Sequence, residues 1–523
     1  MCVINIKRRI FMKKISTKII AMLLLLSLCF SVVACNRGNG NGNGNGSGNG
    51  SGDGTGDGGN NGDNGYAGIS TEVYDGDVIY VGNTAAITGA AANIGVPFNL
   101  GIEAAFAVYN NNGGFNGRPV VLKHYDDMGD SAQAVTYMEK LIHEDNIFAV
   151  VGNYGTYAVE ANLSILKENR VPMVYAASGS DSLYNNNAVD SGDKCIFPVQ
   201  PLNAAEGQVL ILRAFAPTND SEGNYVGGIG GTKVGVISSS DEASQAMVKG
   251  IKLEAENSGL TNIIYQNVAT DDFSAAASAL QAAGCDVIII TVVGKPFISA
   301  LTALADVNYT KSVLTSYNNA NPADFNGSDN KMTETGLKIF SKMAIYAQGW
   351  LDTNDLTYYF KDTSTALYKA YGVLGMIAKD ENGNELGVPG FTAKYWEAAL
   401  DIFNYAAGEG RTDAFAMSYN SYALAGYIAG NLFCQALEAM ETKGLELTRA
   451  NLVNVLESQK FTLAMADEIS YQNGVRAGVQ AFSLIAFFDS YALPEGATDY
   501  HCATSTTVHP LTSIEEYRAL IGK

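Results

Sequence analysis

Histidine is almost absent from this chain: 523 residues carry four, His124, His143, His501 and His509. None belongs to an HExxH zinc motif, and no GxSxG nucleophile elbow accompanies them. A phosphate-binding P-loop is missing too, since Gly294-Lys295 is followed by proline where Ser or Thr is required. No CxxC or mixed Cys/His cluster occurs, which argues against structural zinc. Asp126-Asp127 look like paired acids, but adjacent strand residues point to opposite faces and fit a strand-end turn. The expectation is a protein that is not an enzyme, with no catalytic residue, no metal and no cofactor.

Basic charge is also scarce. Lys and Arg total 33 against 53 Asp and Glu, a net charge of −20. Six of those cations (Lys7, Arg8, Arg9, Lys13, Lys14, Lys18) sit in the first 18 residues, so without them the charge nears −26. Such a chain is unsuited to nucleic acid, whose affinity comes chiefly from Lys and Arg on phosphates. The basic start, the apolar run Ile19 to Phe30 and the small-residue ending Val32-Val33-Ala34-Cys35 read as a signal peptide over 1–35. An apolar core of this length is short for a span of roughly 20 residues. The ending resembles the bacterial lipobox, which makes Cys35 the lipidated first residue of the mature chain. Met12-Lys13-Lys14 is a more ordinary start than Met1.

Residues 36–65 are nearly all Gly, Asn, Ser and Asp, and offer no apolar surface to offset ordering entropy. They read as a disordered tether with a reach of roughly 30 Å. Their glycine repeats follow no strand and carry no nucleotide-binding weight. Of seven cysteines, Cys2 and Cys29 leave with the signal and Cys35 takes lipid. Cys195, Cys285, Cys434 and Cys502 remain, with three disulfide pairings open.

Past the tether, strands and helices alternate. Asp77 to Gly82 is predicted as a strand, followed by a helix from Val96 to Asn111, with apolar positions at helical spacing. Val120 to Tyr125 is the second strand, and Ser131 is the expected cap of the helix through Met138 and Leu141. Phe148 to Val151 reads as a strand buried on both faces, ended by Gly152 and followed by the polar loop Asn153 to Thr156. Val171 to Val174 leads to another polar loop, Tyr175 to Ser182. The pattern restarts with strands at Lys233–Ile237, Asn262–Tyr265, Asp286–Ile290 and Ser312–Thr315, separated by helices. This alternation predicts an α/β protein: two doubly wound parallel-sheet lobes facing one another across a cleft. Leu337–Phe340 and Ala344–Tyr346 are read as the return toward the first lobe, 355–462 as mostly helical, and Glu468 to Phe488 as strands with a tight turn returning to the second. The lobes are assigned as 77–198 with 351–462, and 199–350 with 463–523, joined by three crossovers.

The stretches VIYVGNTAAITGAAANIGVPFNLGIEAA, NNGGFNGRPVVLKHYDD, FAVVGNYGT and VPMVYAASGSDSLY, in this order, resemble the branched-chain amino acid (Leu/Ile/Val-binding-like) type of ABC-transporter substrate-binding protein. That family has the type I periplasmic-binding-protein fold. The resemblance covers 77–200 in detail and 233–320, Tyr419–Tyr422 and Tyr471–Gly474 more loosely. It implies a clamp that closes on a small-molecule ligand and presents it to ABC permease subunits. It also implies first-lobe ligand contacts on Tyr154-Gly155-Thr156 and on Ala177-Ser178-Gly179-Ser180. There, free N–H groups and hydroxyls would hold a ligand carboxylate, and Ile94 would line the pocket wall. Glycines permit close backbone approach and Ser or Thr supply hydroxyls, so the residue types fit, although Ser and Thr at helix starts also serve as caps.

The second lobe departs from the family pattern. Ala243-Ser244 and Val293-Gly294 stand where aromatics are frequent, and no carboxylate lies near Tyr317-Asn318 to pair with a ligand ammonium. An unpaired buried ammonium costs several kcal/mol or about that order. Tyr317, Asn318 and Asn319 suit neutral hydrogen bonds and stacking instead. Tyr154, Tyr175 and Tyr184 are further aromatic candidates. The expected ligand-binding set is therefore Ile94, Tyr154, Gly155, Thr156, Ala177, Ser178, Gly179, Ser180, Ala243, Val293, Tyr317 and Asn318. The expected ligand is a small polar molecule: amino-acid-like, an amide or an aromatic acid. The expected location is extracytoplasmic, lipid-anchored to the outer face of the cytoplasmic membrane. A sensory receptor lipoprotein coupled to a membrane signalling protein is the alternative.

Overall fold

The apolar runs form two separate sheets in a computed structural model of the chain. The structure describes residues 68–89, 92–327, 331–353, 355, 357–373, 376–380, 382–490 and 501–523. The expected leader (1–35), tether (36–65) and lipidated Cys35 lie outside the described residues.

In the first lobe, β1 (Ile79–Ala85), β2 (Val120–Asp126), β3 (Val150–Tyr154), β4 (Met173–Ala177) and β5 (Ile196–Pro198) pair in the order β2-β1-β3-β4-β5. All four pairings are parallel. Helices α1 (Ala92–Asn111), α2 (Ser131–His143) and α3 (Thr156–Asn169) connect them. The helices cover both faces, which is why β3 and β4 need long apolar runs. Asp130, one residue before the expected Ser131, caps α2 by accepting from Gln133 N. β3 does not stop at Gly152 but runs on to Tyr154. Gly152 adopts φ +66° inside the strand, where an added Cβ would meet Ile102 Cδ1 at 2.6 Å. The next residue, Asn153, is fully buried and accepts from Thr84 N and Oγ1 at 3.1 and 3.2 Å. A buried amide tied to β1 carries the strand past its glycine.

The second lobe opens with α4 (Asn203–Phe215). β6 (Val234–Ser239), α5 (Glu242–Asn257), β7 (Ile263–Val268), α6 (Ser274–Ala282), β8 (Val287–Ile290), α7 (Lys295–Asp306) and β9 (Ser312–Thr315) follow. Next come α8 (Glu334–Phe340) and β10 (Ala344–Gly349). Both belong to the second lobe, not to a return: β10 pairs parallel with β9, and Ile339 of α8 joins the core beneath them.

The chain then re-enters the first lobe. A small three-stranded sheet forms from β11 (Tyr359–Phe360), β12 (Ala378–Lys379) and β13 (Glu385–Pro389), with α9 (Ala366–Val373) between its first two strands. It shares a core with α10 (Ala393–Gly408), where Phe360 stacks on Trp396 at 4.4 Å. α11 (Ser421–Thr442) lies across α1 in backbone contact. α12 (Arg449–Ser458) leads to the hairpin β14 (Lys460–Thr462) and β15 (Glu468–Ser470).

Residues 463–479 were expected in the second lobe. The structure instead packs Leu463, Met465, Ile469, Tyr471 and Val479 into the first-lobe core. The chain crosses for the third time only near 480, where β16 (Ala481–Ser490) joins β10 antiparallel and β17 (Cys502–Ser513) pairs with β16 at the edge. α13 (Ile514–Leu520) closes the chain against α4. The second sheet, β17-β16-β10-β9-β8-β6-β7, is thus parallel except for this terminal hairpin. Cys195, Cys285, Cys434 and Cys502 are buried free thiols, so none of the three pairings forms. Among the described residues no helix is long and apolar enough to cross a membrane.

Candidate functional site

The carboxyl ends of both parallel sheets meet, and each expected contact loop follows one of those strand ends. On the first lobe, Gly155 is the residue before α3 and adopts φ +92°, a conformation that favours glycine. Its N–H donates to Ala177 O at 3.2 Å, which ties the β3 loop to the end of β4. Thr156 Oγ1 and Ser178 Oγ lie 2.9 Å apart, so the two loops also share a hydroxyl–hydroxyl bond. Ser178 N donates to Ala176 O, and Ser180 N donates to Ser178 Oγ at 3.1 Å. Gly155 N, Thr156 Oγ1, Ser178 N and Ser180 N, four of the donors expected to hold a carboxylate, thus have partners within the protein. Ile94 is buried in the first-lobe core at the start of α1, and Ala177 is buried.

Ser180 faces the other lobe. Its Oγ lies 2.6 Å from Glu160 Oε1 of α3 and 3.2 Å from Glu242 Oε1 at the start of α5. Lys249 of α5 pairs with Asp181 at 3.0 Å beside it. The Glu242 carboxyl is held above the usual range, first by loss of water and then by the negative charge of Glu160. Two carboxylates, one from each lobe, therefore converge on one serine.

On the second lobe, Tyr317 and Asn318 lie in a short turn after β9. Tyr317 N donates to Glu206 Oε1 at 2.7 Å, and Ser316 Oγ donates to Glu206 Oε2 at 2.8 Å. Tyr317 Oη donates to Pro201 O at 3.4 Å. Asn318 turns back on its own loop, with its N and Nδ2 both on Ser316 Oγ. Asn319 is buried: its Nδ2 donates to Val292 O and Thr315 Oγ1, and its Oδ1 accepts from Gly294 N. Ala243 and Val293 are half-buried against the second-lobe core. Ser244 is fully buried and bonded to Thr291 and Ser239 N.

Glu206 escaped the sequence reading, which found no acid near Tyr317. It sits 111 residues earlier in the first turn of α4, fully buried behind the turn. An acid in a first helical turn reads as ordinary dipole complementation, so nothing local marked it. Burial lifts its pKa to about 7, although Tyr317 N and Ser316 pull it down.

The surroundings of Tyr154 are phenolic, with Tyr317 of the second lobe among its neighbours. The Tyr154 ring packs on Phe98 at 5.2 Å and edge-on to Tyr422 at 6.0 Å. Tyr154 is held well above the usual phenol range, first by lost water and then by Tyr422, Tyr175, Tyr157 and Tyr317. Tyr175 sits beneath, fully buried, at a positive φ of 64°, with no hydrogen-bond partner for its hydroxyl. A non-glycine residue there stores strain. Tyr184, the remaining aromatic candidate, is exposed. The arrangement can stack against a flat group and exchange neutral hydrogen bonds with it.

A model of the periplasmic binding protein family matches residues 78–377. The Leu/Ile/Val-binding protein homolog 3 of Brucella melitensis is 28% identical over 213 residues, 40% of this chain and 53% of that protein. An amino acid binding protein of Pseudomonas aeruginosa is 24% identical over 224 residues, 42% of this chain and 55% of that one. The chain thus spans about half the length of these relatives. Among solved structures, a branched chain amino acid ABC transporter from Thermus thermophilus with bound valine has a TM-score of 0.53 at 14% identity, covering 84% of this chain and 98% of that one. A fatty acid ABC transporter substrate-binding protein from Thermomonospora curvata has a TM-score of 0.52 at 15% identity, covering 86% and 96%. At such identities the likeness is one of fold.

Proposed function

Because this chain belongs to the periplasmic binding protein family, we propose that it is an extracytoplasmic solute-binding lipoprotein. It captures a small polar molecule between its two lobes and delivers it to an ABC permease. The lipidated Cys35 anchors it, and residues 36–65 hold the lobes clear of the membrane. The observation that carries the reading is the facing of two carboxyl-edge surfaces across three crossovers, with Thr156 and Ser178 on one side and Tyr317 on the other.

The ligand is neutral or aromatic rather than a standard α-amino acid. Glu206, the acid behind Tyr317, is fully buried and turned onto Ser316 and Tyr317 N, so it is not offered to a ligand ammonium. A thermal-shift screen of the soluble chain tests this. A ligand at about 100 times its dissociation constant stabilises by roughly 2.7 kcal/mol. Amides, aromatic compounds and short peptides are expected to raise the melting temperature more than leucine or valine, and Thr156→Ala is expected to weaken that shift. A large leucine shift abolished by Thr156→Ala would refute the ligand class. No shift with any small molecule would count against capture itself.

A further inference from the structure

Gln200 lies two residues past β5, and β5 ends beside the end of β4, with Pro198 opposite Ala176. The hydrogen-bond pattern assigns its amide with the oxygen toward the loop after β4, since the opposite orientation sets N–H against N–H; so turned, it accepts from Gly179 N at 3.1 Å and Ser178 N at 3.3 Å. This orientation satisfies the Gly179 N–H and gives the Ser178 N–H, which already donates to Ala176 O at 2.9 Å, a second and longer acceptor. The backbone that delivers the side chain is held firmly. Val479 N donates to Val199 O at 2.8 Å, joining the first and third crossovers. Gly478 packs so closely that an added Cβ would stand 2.4 Å from the Gln200 carbonyl. The receiving loop is fixed as well, because Asn203 N donates to Gly179 O at 3.0 Å.

Successive backbone N–H groups at a strand end form a natural anion cradle. Here the cradle holds a neutral oxygen supplied by the chain itself. We propose that Gln200 determines which ligands the first lobe accepts, by occupying with its amide oxygen the Gly179 N–H that would otherwise hold a ligand carboxylate. This rests on the reading of the inter-lobe cleft as the ligand site. An incoming carboxylate has to displace that oxygen, leaving it without its donor, or stay beside an occupied N–H with its charge unmet. The surroundings add to the exclusion. Ser180 is bonded to Glu160 and Glu242, and these two negative charges lie at the same end of the cleft. The ligand class that remains presents an uncharged group to the first lobe.

The test uses the full chain and acetate as probe. Labelling with 13C-carbonyl serine and 15N-glycine isolates the Ser–Gly amides, Gly179 among them. In Gln200→Ala the Gly179 amide is expected to show a saturable shift on acetate titration, at least about tenfold tighter than in the parent chain, the scale of one hydrogen bond. An equal response in both chains, or none in the variant, overturns the proposal. Gln200→Glu keeps an oxygen at the cradle. There the Gly179 amide proton is expected to move downfield and follow the pH titration of the new carboxylate, without responding to acetate. An unmoved Gly179 signal in Gln200→Glu overturns the proposal even where Gln200→Ala fails to fold. Acetate is not the transported solute, so this result stands apart from the ligand screen.

Discussion

Glu206 offers the sharpest perturbation of the second-lobe face. Its carboxyl is fully buried, braces Ser316 and Tyr317 by two hydrogen bonds, and forms no ion pair among the described residues. Loss of water lifts its pKa from 4.5 to about 7, against the pull of those two bonds. Between these values the folded protein keeps a proton that the unfolded chain has released. Stability therefore falls as pH rises through that window, and the penalty is complete above the folded value. At about 1.4 kcal/mol per pKa unit, the ionised form costs roughly 3 kcal/mol above pH 8.

Glu206→Gln removes the charge, keeps the bond from Tyr317 N and reverses the one with Ser316 Oγ, which donates to the carboxylate in the parent. One end retains an oxygen for Tyr317 N and for the Gln348 amide, whose N–H, in the orientation that its hydrogen-bond partners assign, donates to Glu206 Oε1 at 3.2 Å. The other end offers an N–H to Ser316 Oγ. Urea unfolding curves at pH 4.5 and pH 8.5 read the difference. The variant is expected to match the parent within about 1 kcal/mol at the acid end and to exceed it by about 3 kcal/mol at the alkaline end. Parallel pH curves, or a variant less stable than the parent at pH 8.5, would refute the burial argument. The carboxylate would then be an ionised brace that the protein solvates well.

Two further outcomes follow from contacts elsewhere. α1 and α11 touch through glycines: an added Cβ at Gly101 would stand 1.9 Å from Ala423 O, and one at Gly426 would stand 1.9 Å from Phe98 O. Gly426→Ala is expected to cost about 2–3 kcal/mol by forcing the helices apart, read by thermal unfolding. At the cleft rim, the raised Glu242 carboxyl favours contact with Glu160 when protonated, so closure should weaken as pH rises. Inter-lobe energy transfer between dyes is expected to fall as pH rises from 4 to 8 in the parent chain and stay flat in Glu242→Gln; a parallel fall in both would remove Glu242 as the cause.

Both sheets were legible because their central strands are apolar runs such as Val287–Ile290, buried on both faces. What local pattern could not supply was partnership. Gly152 looks like a terminator, yet Asn153 beyond it is bonded to Thr84, 69 residues earlier. Glu468 to Ser470 has strand character, but only the burial of Phe461, Ile469 and Tyr471 against α11 and α12 assigns it to the first lobe. β17 was not read at all. Its Thr- and Ser-rich sequence and Pro510 fit a sheet edge, and its pairing with β16 shifts register beside His509. The two-residue strands β11 and β12 are too short to interrupt a helical reading. At the site, the loops were found by their glycines and hydroxyls. Glu206 and Gln200, which brace them, come from the first crossover and carry no local signal.

The same contacts bear on what holds the lobes together. Direct bonds across the rim are weak: the Lys249 side chain is 70% exposed in its pair with Asp181, and exposed pairs of this kind contribute about 0–1 kcal/mol. Ser180 bridges Glu160 and Glu242, but the like charges oppose what the hydroxyl gains. Deeper in, each lobe satisfies its own loops, through Gln200 on one side and Glu206 on the other. Neither face therefore has a strong polar demand that the other meets. Closure then depends on a third body that contacts both, and a ligand shifts such an equilibrium only by its differential affinity for the closed form. Tyr154 and Tyr317, on opposite lobes and within electrostatic reach of one another, are the groups placed to register that difference.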